Sequence, residues 1–336
     1  MSQLDIDIQE FKATFPLTDE LRGARVCITG STGLIGSMLV RCLLALDADI
    51  TLLLPVRNIR KARTMFADGL QHIELEETPD LTAWTKTLDS DIDYIVHCAS
   101  PTAGSFMTEH PVETFTLAVD TTRNLLDYMR RKNVKSFVFI SSLEYYGQNH
   151  DDAIISEEYL GHLDMTSPRS SYPLAKRSAE FLCSMYAREY GMAAKVARLT
   201  QTFGAGVASD DNRVFAQFAR SIKDGRDIVL HTTGESAKPY CYTTDCVSAI
   251  LHIMLKGQKG EAYNVANDDT YISIRDMAEL LRRQFNPAVR VIIEQHPEMG
   301  YAPVTRLHLS SEKLRALGWS PRYSLVEMFS RLIQSL

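Results

Sequence analysis

The stretch "ITGSTGLIGS" at residues 28–37 constrains this chain more than any other. Three glycines, Gly30, Gly33 and Gly36, stand three apart. An apolar run, "RVCIT" (25–29), precedes them. After them Leu34, Ile35, Met38, Leu39, Cys42, Leu43 and Leu46 recur at helical spacing and make one apolar face. Strand, glycine turn and helix in that order open a dinucleotide-binding βαβ unit. Glycine is common in turns, so the spacing alone is weak; the context gives it weight. The first N–H groups of a helix lack partners and carry partial positive charge, so they hold a pyrophosphate. Gly30, Thr32, Gly33, Leu34, Ile35 and Gly36 are the residues expected to touch it.

The same alternation continues. "DITLLL" (49–54), "DYIVHCAS" (93–100), "SFVFISS" (136–142) and "AAKVARLT" (193–200) read as strands buried on both faces. Between them lie helical segments, notably 111–133 and 171–191, the latter with Pro173 in its first turn. Such alternation predicts an α/β fold, a Rossmann-type doubly wound parallel sheet. After residue 200 polar, glycine-bearing segments such as "FGAGVASDDNR" interrupt shorter elements, which suits a smaller C-terminal substrate-binding lobe. The expected division is an N-terminal helical arm at 1–22, a dinucleotide-binding domain at 23–203, and a lobe at 204–336 whose segment 240–256 returns to the first domain.

Composition narrows the function classes. With 336 residues, 45% of them hydrophobic, a large core can be buried. A net charge of −6 argues against a broad nucleic-acid surface, and "RNIRKAR" (57–63) reads as a local solvated face. The six cysteines form no C-x-x-C pair, so they read as buried thiols of a reducing compartment. The acidic, polar "MSQLDIDIQEFKATF" is no signal peptide, and no apolar run approaches the ~18 residues of a membrane span. A cytoplasmic protein without membrane contact is expected. His110, His150, His162 and His231 lack metal-ligand spacing, so no metal is expected; His97 reads as a packed histidine and the pair Asp210–Asp211 as solvated.

Two features refine the dinucleotide reading. An acidic residue commonly ends the second strand and holds the ribose 2′-OH. Here the strand runs into Pro55, Val56, Arg57 and Asn58. Arg57 can pair with a 2′-phosphate, which tilts the choice between NAD+ and NADP+ toward NADP+. Further on, "SSYPLAK" places Tyr172 and Lys176 four apart, on one helix face. A phenol is a poor base at neutral pH, and a nearby ammonium favours its ionised form. A strand ending in Ser141 and Ser142 precedes that helix, and a serine there can bond both a substrate hydroxyl and the tyrosine. The set describes proton removal from an alcohol whose carbon gives up hydride.

The segments "TGSTGLIG", "HCASPT", "SSLEYYG", "YPLAK", "ARLTQTFG" and "YCYTTDCVSAI" together resemble the extended short-chain dehydrogenase/reductases of the nucleotide-sugar epimerase/dehydratase type, from about residue 24 to the C-terminus. Within that family "SSLEYYG", "EEYLGH" and "SPRSSYPLAK" are most similar to UDP-glucuronate decarboxylases. The resemblance implies Ser142, Glu144, Tyr172 and Lys176 as the catalytic set, with Tyr172 and Lys176 also touching the cofactor. It implies Ala99 and Ser100 beside the cofactor, and Gln201, Arg213, His231 and Lys238 toward a nucleotide-diphosphate sugar. It also implies a homodimer through the helices at 111–133 and 172–190.

Three positions depart from the family pattern. Leu143 stands where 4,6-dehydratases carry an aspartate, Lys238 where decarboxylases carry an arginine, and Arg57 where NAD-type members are acidic. The resemblance implies chemistry through a transient 4-keto sugar, and Leu143 ranks decarboxylation or epimerisation above dehydration. An NADPH-dependent carbonyl reductase, motivated by Arg57, is an alternative, and so is a non-catalytic dinucleotide-sensing protein.

Overall fold

Apolar runs without polar alternation lie stably only where both faces of a sheet are covered. In a computed structural model describing residues 1–101, 104–295 and 304–336, they are so covered. The strands are β1 (Arg25–Thr29), β2 (Thr51–Val56), β3 (Ile73–Glu77), β4 (Tyr94–His97), β5 (Ser136–Ser142), β6 (Ile154–Ile155), β7 (Ala194–Leu199), β8 (Gln201–Phe203), β9 (Ile228–Leu230), β10 (Ala237–Tyr242), β11 (Ala262–Val265), β12 (Asn267–Ser273), β13 (Val291–Ile293) and β14 (His308–Leu309). One sheet of seven strands has the order β11-β7-β5-β4-β1-β2-β3. All its pairings are parallel. Thr102 of the "HCASPT" segment lies outside the described residues.

Helices cover both faces. In chain order they are α1 (Gln3–Thr14), α2 (Leu34–Ala45), α3 (Ile59–Met65), α4 (Leu81–Thr87), α5 (Gly104–Glu109), α6 (Pro111–Arg131), α7 (Ser171–Tyr190), α8 (Val214–Asp224), α9 (Thr243–Lys256), α10 (Ile274–Phe285), α11 (Glu312–Arg315) and α12 (Leu325–Ser335). Successive strand residues point to opposite faces. Val26 and Ile28 therefore pack with α1, α2 and α9. Cys27 packs instead with α6 and α7. A further core gathers Phe203, Phe215, Tyr240, Met277 and Phe329, apart from the two that flank the seven-stranded sheet. A smaller sheet runs β12-β10-β8, and β9 pairs with β13.

The N-terminal arm is helical, yet it is no loose appendage. Phe11 and Phe15 are buried in the main core. Asp7 is fully buried and accepts hydrogen bonds from the Tyr242 hydroxyl at 2.5 Å and from Arg331 at 2.7 Å. The arm thus ties β10 to α12.

The strand order reverses at β1, with β2 on one side and β4 on the other. In open α/β sheets ligands bind outside the carboxyl ends of the strands at such a reversal. The glycine turn leaves the carboxyl end of β1 at that point.

Candidate active site

The glycines at this edge have separate physical reasons. Gly30 has φ +69°, and a Cβ there would lie 2.7 Å from the Ala99 backbone nitrogen. It lets the turn pass against the end of β4. At Gly36 a Cβ would lie 2.3 Å from the Gly30 carbonyl oxygen, so this glycine lets α2 pack onto its own turn. Gly33 is different. It is the N-cap of α2, has ordinary φ, and a Cβ would meet only Gly30 oxygen at 3.4 Å. No side chain caps α2 and no acidic residue stands in its first turn. The unclaimed N–H groups and the space above Gly33 fit a pyrophosphate. Ala99 donates its N–H to the Thr29 hydroxyl at 3.2 Å, which joins the ends of β1 and β4 below that space. Arg57 follows β2 and is exposed, whereas the side-chain oxygen of Asn58 is engaged as the cap of α3, accepting from Lys61 N–H at 2.9 Å.

Tyr172 and Lys176 lie on α7, buried and one turn apart. The Lys176 ammonium donates to the Ile140 carbonyl at 2.8 Å and lies 5.4 Å from the centre of the Tyr172 ring. Burial lowers Lys176 to about 8, against the opposing pull of Glu180, Cys98 and Glu144. Burial raises the Tyr172 phenol far above its usual range; Glu144 adds to this, while a hydrogen bond with Ser142 and the charge of Arg169 oppose it. Ser142 ends β5 and its hydroxyl accepts the Glu144 N–H at 3.2 Å. Ser142, Glu144, Tyr172 and Lys176 thus lie near one another; the four-residue spacing predicts the Tyr172–Lys176 part alone, and Glu144 joins it through the end of β5.

Glu144 is the hub. Its carboxylate acts electrostatically on Tyr172, Lys176 and Lys238. Lys238 on β10 is half-buried, and burial lowers its amine against the pull of Glu144. One Arg169 nitrogen holds Glu144, at 2.8 and 2.7 Å from its two oxygens. Arg169 stands in the segment "SPRSSYPLAK", three residues before Tyr172, where the sequence alone gives it no role.

Below the site lies a second charged group that sequence reasoning also missed. Glu180 on α7 and Arg198 on β7 form an ion pair with side chains only 6% and 5% exposed. Arg198 donates to Glu180 through Nε and Nη2, and through Nη1 to the Tyr146 hydroxyl at 3.0 Å and the Glu157 carbonyl at 2.7 Å. Ser141 donates its hydroxyl to Glu180. The available signal was Glu180 itself, one helical turn beyond Lys176.

The remaining candidates are placed less uniformly. Gln201 opens β8 and pairs in register with Tyr240. His231 follows β9 and is exposed. Arg213 precedes α8, also exposed, with its guanidinium on Asp211 at 3.0 and 2.5 Å. Asp211 is therefore not the solvated residue expected: Arg213 and the neighbouring loop shield it to 12% exposure. His97 is buried; its Nδ1 lies 2.6 Å from the Thr29 hydroxyl, and burial lowers it to about 3, so the ring stays neutral. Among the described residues no cluster could hold a metal ion, and no helix is long and apolar enough to cross a membrane.

Comparison with known proteins gives concordant matches. The family model described as the NAD dependent epimerase/dehydratase family matches residues 26–266. UDP-glucuronic acid decarboxylase 6 of Arabidopsis thaliana is 27% identical over 307 residues, covering 90% of this chain and 86% of that relative. The UDP-glucose 4-epimerase of Thermotoga maritima, solved with UDP-glucose, superposes with a TM-score of 0.77 at 21% identity, covering 93% of this chain and 98% of that one. RMD from Pseudomonas aeruginosa, solved with NADPH, gives 0.72 at 24% identity, with 93% and 98% covered. At such identities the two solved structures speak for the fold.

Proposed function

The chain belongs to the NAD dependent epimerase/dehydratase family, and from that premise we propose that it decarboxylates a nucleotide-diphosphate-linked uronate through a transient 4-keto sugar. One observation carries this reading. Glu144 and two cations, Arg169 and Lys238, stand around the Ser142–Tyr172–Lys176 set, whose tyrosine and lysine are buried, at the sheet edge where α2 offers an uncapped N-terminus. Similarity to UDP-glucuronic acid decarboxylases over most of the chain supports the same choice.

A bound NAD+ or NADP+ supplies the hydride acceptor, held by the glycine turn, Ala99, Ser100, Tyr172 and Lys176. The protein's own residues supply the rest. Tyr172 takes the proton of the sugar 4-OH, which Ser142 orients. A ketone at C4 makes the C5 carboxylate a β-keto acid, whose C–C bond breaks to release carbon dioxide and leave an enolate. Lys238 holds the carboxylate end, the Glu144 carboxylate relays a proton from water to C5, and Tyr172 returns its proton to the C4 oxygen as the hydride comes back to C4, so the cofactor ends as it began. Gln201, Arg213 and His231 are assigned to the nucleotide side of the substrate.

The test is product mass. Purified protein is incubated with paired uronates and neutral hexoses carried on UDP, dTDP, CDP and GDP. Loss of carbon dioxide from a uronate is expected, without net consumption of cofactor. Loss of water, or a new isomer of unchanged mass, would replace decarboxylation by dehydration or epimerisation. Arg57, exposed and with no acid beside it on β2, favours one second reading, an NADPH-dependent reductase. Turnover only with added NADPH would select it.

A further inference from the structure

Arg169 lies in the short turn Pro168–Ser170 that leads into α7, three residues before Tyr172. Its two terminal nitrogens are used unequally. Nη2 alone serves both oxygens of Glu144, at 2.8 and 2.7 Å. A fork-to-fork pair would engage two nitrogens and two oxygens in parallel. Nη1 is shielded from solvent and has no hydrogen-bond partner among the described residues. Leaving such a donor unmade is costly, so a well-folded site keeps one when a ligand will satisfy it. The guanidinium carbon lies 5.9 Å from the centre of the Tyr172 ring, so the Arg169 head group stands against the tyrosine of the Ser142–Tyr172–Lys176 set.

Charge points the same way. Glu144 faces two cations, Arg169 and Lys238, and cannot neutralise both. Lys176, on which Glu144 also acts, adds a third cation, so the site is net positive. A group that would complete the site carries one negative charge and at least one acceptor for a guanidinium N–H. A sugar carboxylate meets both requirements; a neutral hydroxymethyl group meets neither. Lys238 contributes charge without direction, whereas the planar guanidinium fixes where the anion must stand.

We propose that Arg169 is the residue that reads a carboxylate on the substrate's sugar: Nη2 keeps Glu144 in place while Nη1 donates to the substrate carboxylate, so that uronates are separated from neutral hexoses. This inference rests on the nucleotide-sugar reading above. Arg169 holds two carboxylates at once, one of the protein and one of the substrate, and so sets the distance between the proton donor and the carbon that receives the proton.

Calorimetry tests it with the same uronate and hexose pairs on each nucleotide. Wild-type protein should bind the uronate more tightly than the hexose. Arg169→Gln should weaken the uronate ~10–100-fold, as expected for a lost charged hydrogen bond, and leave the hexose almost unchanged. Arg169→Lys, which keeps the charge, should lose part of the preference and also serves if the glutamine variant fails to fold. Equal weakening of both sugars, or an unchanged preference in either variant, overturns the proposal and leaves Arg169 as a support for Glu144. A wild-type protein that binds both sugars equally overturns it while leaving the nucleotide-sugar reading standing. A wild-type protein that binds neither, on any nucleotide, overturns that reading and this one with it.

Discussion

Two arginine–carboxylate pairs bracket Lys176, and they are built oppositely. In the lower pair, Glu180–Arg198, the arginine donates through all three of its nitrogens, and Ser141 and Tyr146 complete the network. Both side chains are almost fully buried. In the upper pair, Glu144–Arg169, one nitrogen does the holding, another is unsatisfied, and the side chains are 35% and 42% exposed. A closed network in low dielectric fixes geometry, since every group depends on the others. An open one has capacity left for a ligand. The same two residue types serve as floor and as mouth, and burial together with the count of satisfied donors distinguishes them.

If that division holds, changes at the mouth remove chemistry and spare the fold. Tyr172→Phe is the largest expected effect. It deletes the acid–base hydroxyl at a position that stays packed, and turnover should fall ~10²–10⁴-fold. Thermal melting should move by only a few degrees, because the ring remains. Steady-state turnover and calorimetric melting, measured on the same preparation, decide it. Intact turnover would remove Tyr172 from the reaction.

Changes at the floor should do the reverse. Arg198→Met strands the Glu180 carboxylate in the interior, and a buried pair broken on one side loses about 3–5 kcal/mol of stability. The melting temperature should drop, and the protein that remains folded should still bind nucleotide sugar. The double variant Arg198→Met, Glu180→Leu should recover much of the loss, since no charge is then buried alone. An unchanged melting temperature in the single variant would mean that the floor is not a stabilising network, and the contrast would fail.

The sequence made the mouth more legible than the floor, for a physical reason. Gly30, Gly33 and Gly36, and then Tyr172 and Lys176, are local patterns whose spacing a helix or turn turns directly into geometry. Arg198 meets Glu180 only after β7 has been laid beside β5 in the sheet. Asp7 reaches Tyr242 across 235 positions. Spacing says nothing about such pairs. The edge strands β3 and β11 escaped notice for a related reason. "IELEE" carries three glutamates, because β3 is an edge strand and half of it faces water. β11 joins β7 after a long excursion of the chain. Arg169 was visible as a letter in "SPRSSYPLAK", but its role depends on a turn that folds its side chain back over Glu144.

Lys176 offers the finest test, because it lies between the two pairs and senses both. Burial lowers its amine to about 8, and three neighbours pull the other way: Glu180 most, then Cys98, then Glu144. An ammonium that must stay charged loses its proton as pH rises, so kcat/KM should decline on the alkaline side through about pH 8. Removing a negative neighbour makes the ammonium less favourable and moves the decline to lower pH. Glu180→Gln should shift it further than Glu144→Gln, because the floor carboxylate is the stronger of the two influences. Glu180→Gln is assayed well below its reduced melting temperature, and nitrogen NMR of the lysine amine gives a readout independent of turnover. The reverse ranking would place Lys176 under the control of the mouth. The floor would then support the fold without tuning the site, and substrate binding at Arg169 would itself move the Lys176 titration.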